Sequence, residues 1–375
     1  MRPGAPFIPI EIISDVLKQL PVKSLIRFQS VCSHWKDLIK SPSFIATHLH
    51  HSIRENPSLI FVRCVGYSWP PYFLDRHMKH RHVQDPLLDS LEYVGIAGSC
   101  NGLLLARVDP PGTLTSLYLW NPAIREIIAV PRSRSIMDSC HICSLGFAFS
   151  TTVNDYKIVL NYEKWCNVDS GFEVYSLTTN SWKKIETAIF KSIYFVADCI
   201  TLNESIFWVG IKRGLASDGG ENRVTVSYDL ATEKFRLMPP PPRSGIIAAK
   251  LTVYENRLGV FHYSGVYQEN TPIDLWVIEE GIGSSWSKIL TCDPYRPFPY
   301  YVVPVTIWRN QIVWNVDPQF VVLENHKIVT AGSFLFDPTS NEVKVLSSVR
   351  FGIHDAVFGY VESLVPIRYI HTGKH

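Results

Sequence analysis

The sequence of 375 residues lacks long apolar runs, and no stretch approaches the roughly 18 to 20 residues that a helix needs to cross a bilayer. Its N-terminus carries Pro3, Pro6 and Pro9, followed by Glu11, where a secretory signal requires an uninterrupted apolar segment. We therefore expect a soluble protein that does not follow the usual secretory route and is not a membrane protein.

An excess of charge of one sign is also missing. Lys and Arg total 36 and Asp and Glu total 34, which gives a formal net charge of +2. Proteins that bind nucleic acid usually carry a strong basic field, because they must neutralise phosphates. This balance disfavours a nucleic-acid partner.

The eight cysteines show no framework spacing, which is typical of reduced thiols and predicts a cytoplasmic or nuclear location. Cys140 and Cys143 form a CxxC pair, but no second pair of ligands accompanies it, and a strand-like segment follows. Histidines cluster in two polar segments without neighbouring metal ligands at established spacing: His48, His50, His51, and His77, His80, His82. We expect no metal and no cofactor, although the second cluster could recognise an acidic partner.

The apolar pattern divides the chain near residue 56. Residues 1–56 show helical periodicity, with one stripe formed by Ile12, Ile13, Val16, Leu17 and Leu20. A second stripe consists of Val31, Cys32, Trp35, Leu38 and Ile39. We predict a small all-α domain of three or more short helices over 1–56, followed by a second domain over 57–375.

Residues 57–375 contain short β-branched and aromatic runs separated by Asn, Asp, Gly and Pro turns, which predicts an all-β domain. A strand–turn–strand unit recurs five times, and the aromatic residue before each turn recurs at intervals of 48 to 60 residues: Trp120, Tyr175, Tyr228, Trp276 and Phe336. One small sheet cannot bury both of its faces alone, whereas neighbouring sheets cover each other. The period therefore predicts a β-propeller of about six blades, of which five show a clear hairpin.

The N-terminal segment resembles a plant-type F-box. The resemblance rests on Pro9-x-Glu11-Ile12-Ile13, the block from Leu20 to Leu25, Val31-Cys32, and Trp35-Lys36-x-Leu38-Ile39. The remainder is similar to the F-box-associated interaction region of plant F-box proteins, which include S-locus F-box-like proteins, through Gly98 to Leu103, Trp120-Asn121-Pro122 and Tyr360 to Leu364. Paired kelch glycines are not evident, so the resemblance implies a divergent kelch-like propeller.

This resemblance implies a non-catalytic substrate receptor of a Skp-cullin-F-box ubiquitin ligase. The F-box would dock a Skp-type adaptor, the adaptor would connect to the cullin scaffold, and the β domain would hold a protein substrate for ubiquitination. The family pattern places the adaptor contacts on these residues: Pro9, Ile12, Leu20, Pro21, Leu25, Val31, Cys32 and Trp35. Some must belong to the helical core; we favour Leu20, Pro21 and Val31 as interface, and Trp35 could do both.

The substrate surface is predicted by elimination on long irregular segments, because loops on a rigid scaffold usually carry recognition. Two of these segments, 66–90 and 293–302, are rich in aromatic residues. The candidate anchors are Tyr67, Trp69, Tyr72, Phe73, Tyr295, Phe298, Tyr300 and Tyr301. Packing of these rings against a blade edge is an equally open interpretation.

Two other functions stay open. A propeller could host a hydrolase or glycosidase with converging carboxylates, and the candidate acids are Asp155, Asp229, Asp274 and Asp337. Turn roles explain most of these acids without catalysis, and no nucleophile elbow, P-loop or dinucleotide fingerprint occurs in the sequence. Alternatively, the protein could keep its F-box but act outside a ligase. Self-incompatibility, hormone response and defence are equally compatible roles.

Overall fold

The computed structural model describes residues 8–62, 72–75, 77, 79–82, 94–137, 141–163, 170–186, 193–212, 223–238, 241–242, 248–263, 272–279, 285–292, 302–316, 322–324, 327–329, 332–347 and 356–367. Contacts divide the chain into two units. One comprises Met1–Phe61, Pro70–Pro131 and Phe358–His375, and the other comprises Val62–Trp69 and Arg132–Val357.

The chain begins with four helices: α1 (Ile10–Leu17), α2 (Val22–Phe28), α3 (Ser33–Lys40) and α4 (Pro42–Glu55). Prolines precede the first two helices, and the carbonyl of Pro9 accepts the backbone N–H groups of Ile12 and Ile13. Ser41 caps α4, because its hydroxyl accepts the N–H of Phe44 at 3.3 Å and Pro42 occupies the first turn.

Within the described ranges, the strands after α4 form six four-stranded sheets and one small hairpin. Sheet 1 combines β26 (Ala356–Tyr360) with β1 (Ser58–Val62), β2 (Tyr72–Leu74) and β3 (His80–His82). Sheet 2 contains β4 (Val94–Cys100), β5 (Leu103–Val108), β6 (Ser116–Asn121) and β7 (Glu126–Val130). Sheet 3, after the short helix α5 (Arg134–Met137), contains β8 (His141–Ser150), β9 (Asp155–Glu163), β10 (Ser170–Ser176) and β11 (Ser181–Ile185).

The remaining sheets repeat this order of antiparallel neighbours. Sheet 4 contains β12 (Ile193–Leu202), β13 (Ser205–Lys212), β14 (Arg223–Asp229) and β15 (Lys234–Met238). Sheet 5 contains β16 (Ala248–Tyr254), β17 (Arg257–Tyr263), β18 (Ile273–Ile278) and β19 (Trp286–Cys292). Sheet 6 contains β20 (Val302–Trp308), β21 (Gln311–Val316), β24 (Ser333–Asp337) and β25 (Glu342–Ser347), and the extra hairpin is β22 (Val322–Glu324) with β23 (Lys327–Val329).

The predicted fold class, N-terminal helices followed by an all-β six-bladed propeller, is confirmed. The five aligned aromatic residues lie on the third strands of sheets 2 to 6, and Trp120, Tyr175 and Tyr228 are fully buried. Sheet 1 takes β26 from the far end of the β region, and its local hairpin of β2 and β3 has strands of only three residues. This is why the sequence pattern shows five hairpins and not six.

Among sheets 3 to 6, faces of neighbouring sheets pack against each other, as propeller blades must. Within the second unit, one apolar cluster joins Phe172 of sheet 3 to Trp208 of sheet 4. Another joins Phe261 of sheet 5 to Trp314 of sheet 6. All four side chains are at most 1% exposed, and burying a large apolar side chain contributes about 1.5 to 3 kcal/mol.

Candidate protein-docking site

The four N-terminal helices close around a small apolar core. Leu17, Val22, Leu25 and Phe44 are at most 2% exposed and belong to one cluster. A segment this small buries little surface by itself. Its cluster is completed by side chains from outside the helices, among them the buried Leu364.

Helix α1 presents a second apolar side to solvent. Ile12 is 53% exposed and Val16 is 56% exposed, and these two residues are one helical turn apart. Ile8, just before the helix, is 53% exposed. Exposed apolar side chains that lie next to each other, as Ile12 and Val16 do on α1, favour a surface that binds another protein over residues scattered singly.

The predicted adaptor contacts fall into three groups by burial. Five are exposed: Pro9, Ile12, Pro21, Val31 and Cys32. Leu20 and Trp35 are half-buried and lie against the helical core, and Trp35 packs edge-on against Phe28 with ring centroids 5.6 Å apart. Leu25 is fully buried, so its place is in the core and the prediction of a direct adaptor contact does not fit it.

Besides Ile53 on α4, which is 51% exposed, the exposed apolar residues of the helical region include three that the predicted site did not contain. These are Ile8, Val16 and Ile26, of which Ile26 is 41% exposed on α2. The helical period in the sequence placed Ile12, Ile13, Val16 and Leu17 on one stripe. The structure divides that stripe, because Leu17 is buried while Ile12 and Val16 point away from the core.

His48 of α4 contacts the connection between α1 and α2 from inside the helical domain. It is 2% exposed, its Nε2 is 3.0 Å from the carbonyl oxygen of Leu20, and its ring stacks on Phe44. Burial lowers the pKa of His48, and this effect outweighs the Leu20 carbonyl and the carboxylate of Glu362, which both raise it. A neutral imidazole is therefore part of the helical core, not an exposed ligand.

The predicted substrate anchors are mostly outside the described residues. Tyr67, Trp69, Tyr295, Phe298, Tyr300 and Tyr301 lie there, and for Tyr72 the structure describes the strand but not the side chain. Phe73 is 6% exposed and packs edge-on against Tyr360 with ring centroids 4.6 Å apart. Phe73 is therefore packed inside sheet 1 in this structure.

The candidate acids of an enzyme are each bonded within their own sheets. Asp155 accepts the N–H and the hydroxyl of Thr178, and Asp229 accepts the same two groups of Thr232. Asp337 accepts the N–H of Thr339 at 2.8 Å. Asp274 is not in a turn: it lies on β18 and accepts from Thr291 and Lys288 at 2.6 and 2.9 Å.

The described part of the chain shows neither a metal cluster nor a membrane-spanning helix. Within the described ranges, no three His, Cys, Asp or Glu side chains are grouped as metal ligands would be. Among the helices that the structure describes, none combines the length and apolarity needed to span a bilayer.

The sequence matches two family models. Residues 7–47 match the F-box domain, and residues 78–367 match the F-box associated beta propeller domain. In Arabidopsis thaliana, the chain is 27% identical over 305 residues to an F-box/kelch-repeat protein, covering 76% of this chain and 79% of that protein. It is also 26% identical over 389 residues to F-box protein CPR1 of the same organism, covering 96% of this chain and 87% of CPR1.

Proposed function

Because the chain belongs to the family of F-box proteins with an F-box-associated β-propeller domain, we propose that it is a non-catalytic substrate receptor of a Skp-cullin-F-box ubiquitin ligase. Its helices bind a Skp-type adaptor, which connects it to the cullin scaffold. Its β domain binds the protein that is ubiquitinated. The ligase then works by proximity, because substrate and conjugating enzyme meet on one scaffold.

The observation that supports this function is the exposed apolar side of α1 above a closed helical core. A residue such as Ile12, 53% exposed next to the buried Leu17 core, is available to a partner without unfolding the domain. Val31, in the connection between α2 and α3, is also apolar and is 60% exposed. Binding of an adaptor removes such surface from water, which supplies about 25 cal/mol for each Å² of apolar area.

Charge favours the same partner. Residues 1–56 carry seven Lys or Arg and four Asp or Glu, a net charge of +3. Lys23, Arg27, Lys36 and Lys40 are exposed on the helices. A basic helical domain attracts an acidic adaptor and raises the rate of encounter more than the final affinity.

Co-purification tests the function. The full chain, expressed with a Skp-type adaptor and a cullin, is expected to bring down both proteins. Recovery of the adaptor without the cullin would support a role outside a ligase, and recovery of neither would contradict the proposal.

A double substitution, Leu20→Ala with Pro21→Ala, locates the contact. It should weaken adaptor binding by about 2 kcal/mol or more if the pair is a buried hot spot of the interface. Pro42→Ala is the matched control, because Pro42 is also an exposed proline at a helix start. Equal adaptor binding by the double variant and the control would remove Leu20 and Pro21 from the interface.

A further inference from the structure

After β26 the chain continues as a segment without helix or strand, residues 361–367, which we call the C-terminal strap. Irregular segments usually lie on the surface and keep their backbone in water. This one does not: Ser363 and Ile367 are fully buried and Leu364 is 6% exposed. Such burial requires partners for the backbone groups of the strap.

Asn121 supplies two of these partners. Its side-chain amide donates to the carbonyl oxygens of Ser363 and Val365, at 3.0 and 2.8 Å. Its side-chain oxygen accepts the N–H of Ala123 at 3.0 Å, which closes the turn between β6 and β7. The side chain is fully buried and uses both its donor and its acceptor.

The corresponding turns of sheets 4 and 6 explain why residue 121 is Asn. Asp229 and Asp337 occupy the position of Asn121, at the end of the third strand, and their carboxylates accept backbone N–H groups of their own turns. A carboxylate could close the turn at residue 121 equally well, but it cannot donate to two carbonyl groups. The amide is therefore required by the strap and not by the turn.

Two further contacts hold the strap on sheet 2. Gly102, with φ +79° in the turn between β4 and β5, lies so close to the strap that an added Cβ would be 2.7 Å from the carbonyl oxygen of Val361. The N–H of Ile367 donates to Oε2 of Glu126 at 2.8 Å. Three separate points of sheet 2 thus contact the strap at Val361, Ser363, Val365 and Ile367.

The other side of the strap faces the helices. Leu364 belongs to the apolar cluster of Leu17, Leu25 and Phe44, and Ala123 and Ile124 of the β6–β7 turn pack on the same cluster. The strap therefore lies between the helices and sheet 2 and contacts both. The helical core is closed by the far end of the chain.

We propose that the C-terminal strap fixes the F-box to sheet 2, so that a bound adaptor is held in a constant position relative to that sheet. Asn121, Gly102 and Leu364 are its positioning residues. This fixed geometry would present a substrate at a set distance from the adaptor, and that role rests on the proposed function. A flexible tether would spread the bound adaptor over many positions and lower the effective concentration of the two partners.

The test uses the full chain with two variants. Asn121→Asp keeps a side chain that can close the turn but removes both donors to the strap. Asp229→Asn makes the opposite exchange at the equivalent turn of sheet 4 and is the matched control. Hydrogen exchange of the Val365 and Ile367 amides, which are bonded to Ser363 and Glu126, should accelerate roughly ten- to a hundred-fold in Asn121→Asp and stay unchanged in Asp229→Asn.

A distance measurement tests the positioning itself. Spectroscopic labels on noncanonical amino acids at Lys23 in α2 and Ala129 in β7, both exposed, report the separation of the F-box from sheet 2. We expect one narrow distance distribution in the wild type and in Asp229→Asn, and a broad one in Asn121→Asp. A narrow distribution in Asn121→Asp, or equal broadening in the control, would overturn the proposal.

Leu364→Ala is a second variant, to be used if the buried carboxylate of Asn121→Asp prevents folding. It shortens the strap side chain in the helical cluster and leaves the turn at Asn121 intact. The distance distribution should again broaden, and a narrow one would count against the strap. All of these readings are taken without substrate, and in the absence of an adaptor as well, so a failed ligase assay cannot be confused with a failed strap.

Discussion

Gly102 and Ser363 touch across the join between sheet 2 and the C-terminal strap, and a Cβ at residue 102 would lie 2.3 Å from the Cβ of Ser363. Atoms of this kind do not approach so closely, so the strap can occupy its place because residue 102 has no side chain. Asn101 before it also has a positive φ, of 52°. The Asn-Gly pair thus makes the tight turn and leaves room for the strap.

Gly102→Ala should therefore destabilise the protein by about 2 kcal/mol or more, since it adds a backbone clash to the strain of a positive φ. Gly112→Ala is the matched control: residue 112 has φ +71°, but nothing lies within 4 Å of the position that a Cβ would take there. The control should cost about 1 kcal/mol, from the φ alone. Chemical denaturation of both variants measures the difference, and equal costs would mean that the strap yields to the new methyl group.

The exposed side of α1 should be needed for the adaptor and not for folding. Ile12→Asp or Val16→Asp is expected to weaken adaptor binding about 10- to 100-fold, because each puts a charge into a surface that the adaptor would cover. Ile53→Asp on α4 is the control, since Ile53 is 51% exposed and lies outside the predicted contacts. Calorimetric titration with the adaptor measures the affinities. Wild-type affinity for both α1 variants would move the interface to another part of the helices.

Much of the fold follows from local sequence pattern. Each hairpin of sheets 2 to 6 joins strands that are neighbours in the chain, so its turn residues and its buried aromatic residue lie within about twenty positions of each other, as in 117–131. Sheet 1 could not be predicted in this way, because its strand Ala356–Tyr360 pairs in one sheet with strands from residues 58–82. No local repeat can encode such a pairing.

The site was harder to predict for a related reason. Helical periodicity places the apolar residues of α1 on one stripe, but it does not show which part of that stripe is covered. Part of the cover comes from Ala123, Ile124 and Leu364, which are distant in sequence. The assignment of the buried Leu25 to the adaptor surface stems from this missing information, and so does the failure to see that Val16 stays exposed.

His48 should make the helical domain sensitive to mild acid. Burial lowers its pKa from the usual value of 6.5, so the folded state disfavours the protonated ring. The stability that depends on a neutral His48 is therefore fully present above about pH 6.5. It falls as the pH decreases below this value, because the unfolded chain binds the proton first. Hydrogen exchange of α4 between pH 7.5 and 5.5 measures this loss. His48→Gln should flatten the dependence and His50→Gln, an exposed neighbour on the same helix, should not. A slope that persists in His48→Gln would assign the effect to another group.

Glu204 should link sheets 3 and 4 in a way that fails in acid. Its carboxylate accepts the hydroxyl of Ser150 at 2.5 Å, the hydroxyl of Thr151, and the N–H of Thr152 at 3.3 Å. The hydroxyl bonds from Ser150 and Thr151 lower the pKa of Glu204 to about 2.

The stabilising contribution of Glu204 is consequently present above the usual glutamate pKa of about 4.3 and is lost as the pH falls from there toward 2. Glu204→Gln should lower the Tm at pH 7 by about 1 to 3 °C and show a shallower decline of Tm between pH 5 and pH 3. Glu255→Gln is the control, because Glu255 lies in the β16–β17 turn and pairs with Arg257 two residues away, within its own sheet. Thermal melts across this pH range decide the matter: parallel curves for the wild type and Glu204→Gln would show that the bonds to Ser150 and Thr151 do not hold the two sheets together.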